Sequence, residues 1–375
     1  MKRILSLIVV LIIIFFISAI CVKAETIDDL GRASGAYALD ENLPDDVKKT
    51  LEEIGISSKD FSRLSDLTFG SVLKSVLSSV SSEAGEILPS ISTLLAILVA
   101  YSLFSGVFSS VTNQTLSAVL SVITALCISM VILLPVTDMI EIAQSTIKIS
   151  ADFMLAFIPV MTAILISCGQ SVTAGGYCAM MVVAAEAVSQ LFAKFVAPLL
   201  SAFMALGVSV SVVPDIKLGG IVNFISKTLK WIMSFSFMLF TSLLTIKSIY
   251  SSSVDNISSR AVRYTVSSFV PVVGGALSEA YRTLHGCVGV LKSGVGVFVI
   301  IAVVMVFLPV ITRILLWLLT LNLCKCFTET TELHSPHMLL NCISTVISLL
   351  LSVIFCIMAL FVITTALIIT IGGRV

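Results

Sequence analysis

The residues best spaced for chemistry are Glu186, Gln190 and Lys194, which recur at i, i+4 and i+8. On a helix they put an acid, an amide and a base on one face. Ionisable groups inside apolar sequence are costly to insert and normally face a bundle interior or water. The row is therefore a candidate lining for a conduit or a proton-coupled site. The plainer reading is an interhelical ion pair near a membrane surface, with Lys194 extending its ammonium toward headgroups, and we prefer it. A second cluster is Cys324, Cys326, His334 and His337, with Cys342 beyond it and Glu329 and Glu332 inside it. Zinc takes thiolates and imidazoles in short paired spacings. Cys-x-Cys followed by His-x-x-His at this distance fits no common zinc pattern, and the outer cysteines fall at the ends of apolar runs. No metal is assigned, and these four residues stand as weak candidates. Most other cysteines, including Cys127, Cys168 and Cys178, sit in apolar runs and behave as small hydrophobes.

The chain holds no G-x-x-x-x-G-K-[ST] loop, no H-E-x-x-H and no G-x-S-x-G. No catalytic residue and no cofactor are expected, and any energy for active transport would come from a gradient or from another subunit.

The elements that must carry these residues are apolar helices. Hydrophobic residues make up 58% of the sequence and charged residues 12%, which places the chain in the membrane class. No charge occurs between Glu86 and Asp138, and further uncharged runs cover 153–185, 195–214, 293–312 and 338–373. A helix needs roughly 20 apolar residues to cross a bilayer. Strands of a barrel would be shorter and would alternate apolar with polar. A soluble helical core would need charged stripes that these runs lack. The expected fold is all-α: a polytopic domain over 87–375 with apolar runs at 87–108, 116–136, 153–168, 178–213, 231–250, 295–322 and 342–371. The run 178–213 is too long for one crossing and is expected to turn near Lys194 and Pro198, which gives about eight crossings within a range of seven to nine. Val266 to Tyr281 counts as re-entrant unless it spans.

Ahead of this domain lie two other pieces. Lys2 and Arg3 precede an unbroken apolar run from Ile4 to Ile20, and Val22-Lys23-Ala24 supplies small residues for cleavage. Residues 1–24 therefore read as a signal peptide, with an uncleaved anchor as the alternative. Residues 25–86 contain 13 Asp or Glu against 6 Lys or Arg, an acidic segment expected outside the cytoplasm. In it, Pro44-Asp45-Asp46 starts a helix with Val47, Leu51 and Ile54 on one face, and Gly55 stops it. A second start at Ser57 and Ser58 leads to Phe61 and Leu64, and an amphipathic stretch then runs from Phe69 to Val80. So few large apolar side chains make a marginal core, so this segment is expected to depend on the membrane domain or a partner.

Scarce charges mark the loops. The linker 137–152, with Asp138, Glu141 and Asp152 against Lys148, fits the outside, and 214–230, with Lys217, Lys227 and Lys230 against Asp215, fits the cytoplasm. Phe-Ile-Pro-Val around Pro159 and Phe-Val-Pro-Val around Pro271 are each followed by glycines and a later proline, consistent with a repeat near 150–213 and 262–324 or with chance recurrence. Helix breaks are expected at Gly169 to Tyr177, with Gly175 and Gly176, at Pro271 to Gly275, with Gly274 and Gly275, and at Gly286, Gly289, Gly294 and Gly296. Breaks at membrane depth imply a wet pathway or close packing. Packing is the preferred reading, because Ala185, Ser189, Ala193, Ala197, Ser201, Ala205 and Ser209 repeat small residues at every fourth position.

The leader with its acidic segment, Phe157-Ile158-Pro159-Val160-Met161-Thr162-Ala163 and above all Phe269-Val270-Pro271-Val272-Val273-Gly274-Gly275-Ala276-Leu277-Ser278-Glu279-Ala280 give a family resemblance. Over nearly its whole length the chain resembles the stage III sporulation protein AE family of endospore-forming bacteria. The resemblance implies a multi-pass membrane subunit of the mother-cell assembly around the forespore. It would act with other membrane subunits, a separate ATPase and a forespore-side partner in a channel or secretion-like complex that sustains forespore development. It implies no catalytic residues, and nucleic acid is not among the expected partners. The competing reading from the residues alone is a stand-alone secondary transporter for a small solute, centred on Glu186.

Overall fold

A computed structural model of the chain describes residues 31–54, 56, 69–109, 114–212, 219–269, 274–331 and 334–370. The leader lies outside these residues, as do Phe61, Leu64 and Pro271. A 3-10 segment, Ala36–Asn42, is followed by α1 (Asp45–Ile54), α2 (Phe69–Ser109), α3 (Gln114–Ser167) and α4 (Ser171–Leu191). A π turn, Phe192–Val196, joins α4 to α5 (Ala197–Val212), and α6 (Gly219–Phe269), α7 (Gly274–Thr330) and α8 (His334–Thr370) complete the order. The described residues contain no strand.

Six helical stretches among the described residues are long and apolar enough to cross a membrane: Glu83–Phe104, Val122–Ser167, Ser171–Ser209, Phe224–Ala261, Val288–Thr330 and Pro336–Thr370. This is fewer than the eight crossings expected, for two physical reasons. First, 137–152 is not a loop. It continues α3, which at 54 residues is about 80 Å long. Met139, Ile140, Ala143, Ile147 and Ala151 are buried while Asp138, Glu141, Lys148 and Asp152 are exposed, so the charges form an exposed stripe on a helix rather than a connection. Second, the chain does not turn at Lys194 and Pro198. Proline lacks an N–H and its ring crowds the carbonyl four residues back. The π turn absorbs this, with the Ala197 N–H donating to the Phe192 carbonyl. The helix runs on.

The pairs α3–α4, α4–α6 and α7–α8 run antiparallel. Phe157 and Tyr177 meet edge to face at 6.4 Å across the α3–α4 turn, Asp255 and Ser251 of α6 face Thr173 and Gly176 of α4, and Lys325 donates to Ser344 where α7 meets α8. One continuous core joins all of them, with Phe153, Phe157, Phe192, Phe203, Phe298, Phe307 and Phe361 fully enclosed. The acidic segment is part of it: Leu39, Leu43, Val47, Leu51 and Ile56 lie in the same core. The face expected for α1 therefore docks on the membrane helices. The boundary drawn at 86 falls inside α2, which runs through it unbroken.

The expected helix breaks resolve differently. Only Gly169 makes a turn, with φ +70°. There Gln170 N–H donates to Leu165 O at 2.9 Å and Gly169 N–H to Ile166 O at 2.8 Å, closing the end of α3. Gly175 and Gly176 lie inside α4, Gly274 and Gly275 open α7, and Gly286, Gly289, Gly294 and Gly296 lie within α7. With the two Pro-Val motifs aligned, the turn at 168–170 falls opposite 280–282, which is uninterrupted α7. The small-residue row packs only at its start. Ala185 and Ala197 are buried, whereas Ser201, Ala205 and Ser209 are exposed, because a strict four-residue period drifts about 40° per step around a 3.6-residue helix.

Close packing is real at two glycines. A Cβ at Gly207 would collide with Cys342 Sγ, and one at Gly296 would lie 2.5 Å from Ile369 Cδ1. Gly296→Ala requires the Ile369 side chain to move or α7 to part from α8, and a loss of about 1–3 kcal/mol is expected from overpacking, read as a lowered unfolding midpoint in detergent. Gly286→Ala meets open space and should leave that midpoint unchanged.

Candidate functional site

Glu186, Gln190 and Lys194 do form one row. Gln190 Nε2 donates to Glu186 Oε1, and Lys194 Nζ donates to Gln190 Oε1. All three are exposed and turned away from the core. Lys194 lies within the π turn, so the row spans the one irregular point of this helix. Its depth follows from α6. Trp231 and Tyr250 are 65% and 64% exposed and lie 19 residues apart, about 29 Å along a helix, close to the hydrocarbon thickness. Interfacial aromatics bracket spans in this way. Pairing of Thr173 with Asp255 and Gly176 with Ser251 sets the α4–α6 register. In that register Glu186 is level with Thr241, midway between the two aromatics. The row therefore lies on the outside of the bundle, level with Thr241 of α6.

The cysteine–histidine cluster is spread out. Cys324 is buried and Cys326 exposed, as two residues on a helix point nearly opposite ways. Cys342 packs against Gly207. His337 Nδ1 is 3.2 Å from Thr328 Oγ1, and its Nε2 is 3.8 Å from Glu329. The side chain of His334 lies outside the description. Among the described residues, no three His, Cys, Asp or Glu side chains converge on a point.

The structure brings together polar groups that the spacing did not flag. The first turn of α4 has no local side-chain cap. Asp255, 4% exposed, reaches across from α6 and accepts from the Val172 N–H at 3.1 Å and the Thr173 N–H at 2.7 Å. Gln170 O accepts from the Ala174 N–H, and Gln170 Oε1 lies 3.4 Å from the ammonium of buried Lys292 on α7. One joint thus ties α3, α4, α6 and α7 with a carboxylate, an amide and an ammonium. A carboxylate at a helix N-terminus is also favoured by the helix dipole. Elsewhere Arg313 of α7 donates through Nε to Glu83 of α2 at 2.6 Å, with the side chains 23% and 18% exposed. The only sequence signal for either contact is an ionisable residue inside an apolar segment.

These groups tie helices together; none is arranged as nucleophile, base and orienting partner. A model of the family described as stage III sporulation protein AE matches residues 56–372. No curated protein and no solved structure matches the chain.

Proposed function

Because this chain belongs to the stage III sporulation protein AE family, a sporulation-related family of membrane proteins, we propose that it is a non-enzymatic integral subunit of a channel or secretion-like complex. The complex links mother cell and forespore and serves forespore development after engulfment. Its partners are other membrane subunits of the stage III assembly, a separate ATPase and a forespore-side protein.

The observation that carries this reading is the outward row of Glu186, Gln190 and Lys194. An acid and a base at mid-depth are unfavourable against lipid. They are accommodated when an adjoining helix supplies hydrogen bonds and small side chains allow close approach. The same exposed face carries Gly175, Ala179, Ser201 and Ala205, which suits a neighbouring transmembrane helix. A transporter centred on Glu186 would need that carboxylate inside the bundle.

Orientation follows from parity. The stretch 214–230 expected as a loop is helical from Gly219 onward, so Lys227 and Lys230 lie in the first turns of α6. With this basic end of α6 in the cytoplasm, the start of α2 and the docked acidic segment lie on the opposite side. That side is the space between the two membranes, where the forespore partner is met.

The test replaces Glu186, Gln190 and Lys194 together with leucine. None of the three belongs to the core, so the protein should accumulate and insert normally. It should fail to co-purify with membrane subunits from sporulating cells, and it should not restore sporulation to a deletion strain, whereas Glu186→Gln should restore it. Full complementation by the triple variant would overturn the reading. So would solute uptake by the purified protein alone in liposomes.

A further inference from the structure

Between α4, α6 and α8 lies a half-open cavity of about 20 Å³. Thr173 and Tyr177 of α4 and Ser251 of α6 line it. They are 3%, 5% and 2% exposed, and their hydroxyl oxygens have no hydrogen-bond partner among the described residues. Buried polar groups are nearly always satisfied. Here three unsatisfied ones face the same space. Gly176 favours the arrangement: a Cβ there would lie 3.0 Å from Ser251 Oγ and 3.2 Å from Lys247 Cε, so any larger residue would push these side chains outward by a few tenths of an ångström. Met180, Leu244, Leu367 and Ile368 give apolar walls, and Lys247, Ser248 and Thr364 also line the space, the Thr364 hydroxyl already donating to the Leu360 carbonyl.

We propose that this cavity is a water-binding site in which bound water bridges Thr173, Tyr177 and Ser251 and joins α4 to α6 and α8. Three observations select water. A cavity of this size holds one water, and a buried water typically makes about three hydrogen bonds to otherwise unsatisfied groups. Each hydroxyl can donate or accept, and water, which does both, can pair with all three. The flanking charges oppose an ion of either sign. Lys247, one turn before Ser251, lines the cavity and repels a cation. Asp255, one turn after it, is bonded to Thr173 N–H and repels an anion. A neutral occupant between them is bridged without penalty. The site sits where Tyr250 marks the edge of the apolar section of α6, so water enters the bundle at this end, beside the Asp255 cap.

X-ray radiolytic labelling with mass spectrometry tests this on the purified full chain in lipid nanodiscs. Bound water generates hydroxyl radicals in place, so buried side chains touching it are modified even when a bulk scavenger is present. Tyr177 and Met180 should label several-fold faster than Met161, which is fully buried away from the cavity, and scavenger should not abolish the difference. In Gly176→Ala the added methyl narrows the cavity, and Tyr177 labelling should fall several-fold. The proposal is overturned if Tyr177 in the unaltered chain labels no faster than Met161. Loss of its labelling on adding scavenger would overturn it too, since that shows access from bulk solvent rather than a bound molecule.

Discussion

Asp255→Ala is expected to destabilise the protein by about 1–3 kcal/mol, from a lost helix cap and the buried Thr173 N–H left without an acceptor, while the Val172 N–H is only partly buried. The α4 N-terminus has no substitute. Gln170 contributes no side-chain cap, and its backbone carbonyl already serves Ala174. Removing the carboxylate also takes a negative group from the joint that contains Lys292, which is 3% exposed. Asp255→Asn should recover part of the loss, because one amide oxygen can still accept from Val172 or Thr173. Unfolding of the purified protein in detergent measures the size. Amide hydrogen exchange locates it, with faster exchange expected at 172–175 and little change near Phe203 at the far end of the same rod. Equal stability of the alanine variant and the unaltered chain would mean that the cap is dispensable.

Apolar content alone made the membrane helices legible. The run 231–250 lies within α6, and α1 starts at Asp45 with Val47 and Leu51 buried, because local pattern and capping fix both. What the pattern could not resolve was continuity. A charged stretch such as 137–152 reads as a loop when charge is counted along the chain. It is a helix because its apolar residues recur on one face and neither glycine nor proline interrupts it. Pro198 reads as a turn, yet a π turn absorbs it at the cost of one extra residue. Gly175 and Gly176 were expected to break a helix; instead Gly176 favours the close approach of α6. Of the candidate site, Glu186, Gln190 and Lys194 were legible because i, i+4 spacing is local. Their outward direction was not, since it depends on which face α3 and α6 cover. Asp255 and Lys292 were invisible for the same reason: their partners lie more than 80 residues away in sequence.

The ion pair of Glu83 and Arg313 is the extreme of this, spanning 230 positions. Neither residue stands out along the chain: Glu83 is one acid among many in 25–86, and Arg313 simply follows the uncharged run 293–312. Their separate removal should be more damaging than their joint removal. Glu83→Leu removes the carboxylate that the largely buried Arg313 guanidinium bonds at 2.6 Å. Breaking a fully buried pair costs about 3–5 kcal/mol, and allowing for the partial exposure of both side chains we expect about 1–3 kcal/mol. Arg313→Leu should lose a similar amount. Replacing both with leucine removes the desolvation cost together with the attraction, and it should restore stability to within about 1 kcal/mol of the original. A double-mutant cycle read by unfolding in detergent gives the coupling directly. If the effects of the single variants simply add in the double, the two residues are not coupled, and α2 is held to α7 by apolar contact alone. A favourable coupling would identify the pair as the polar link joining the first membrane helix, and the acidic segment ahead of it, to the rest of the bundle.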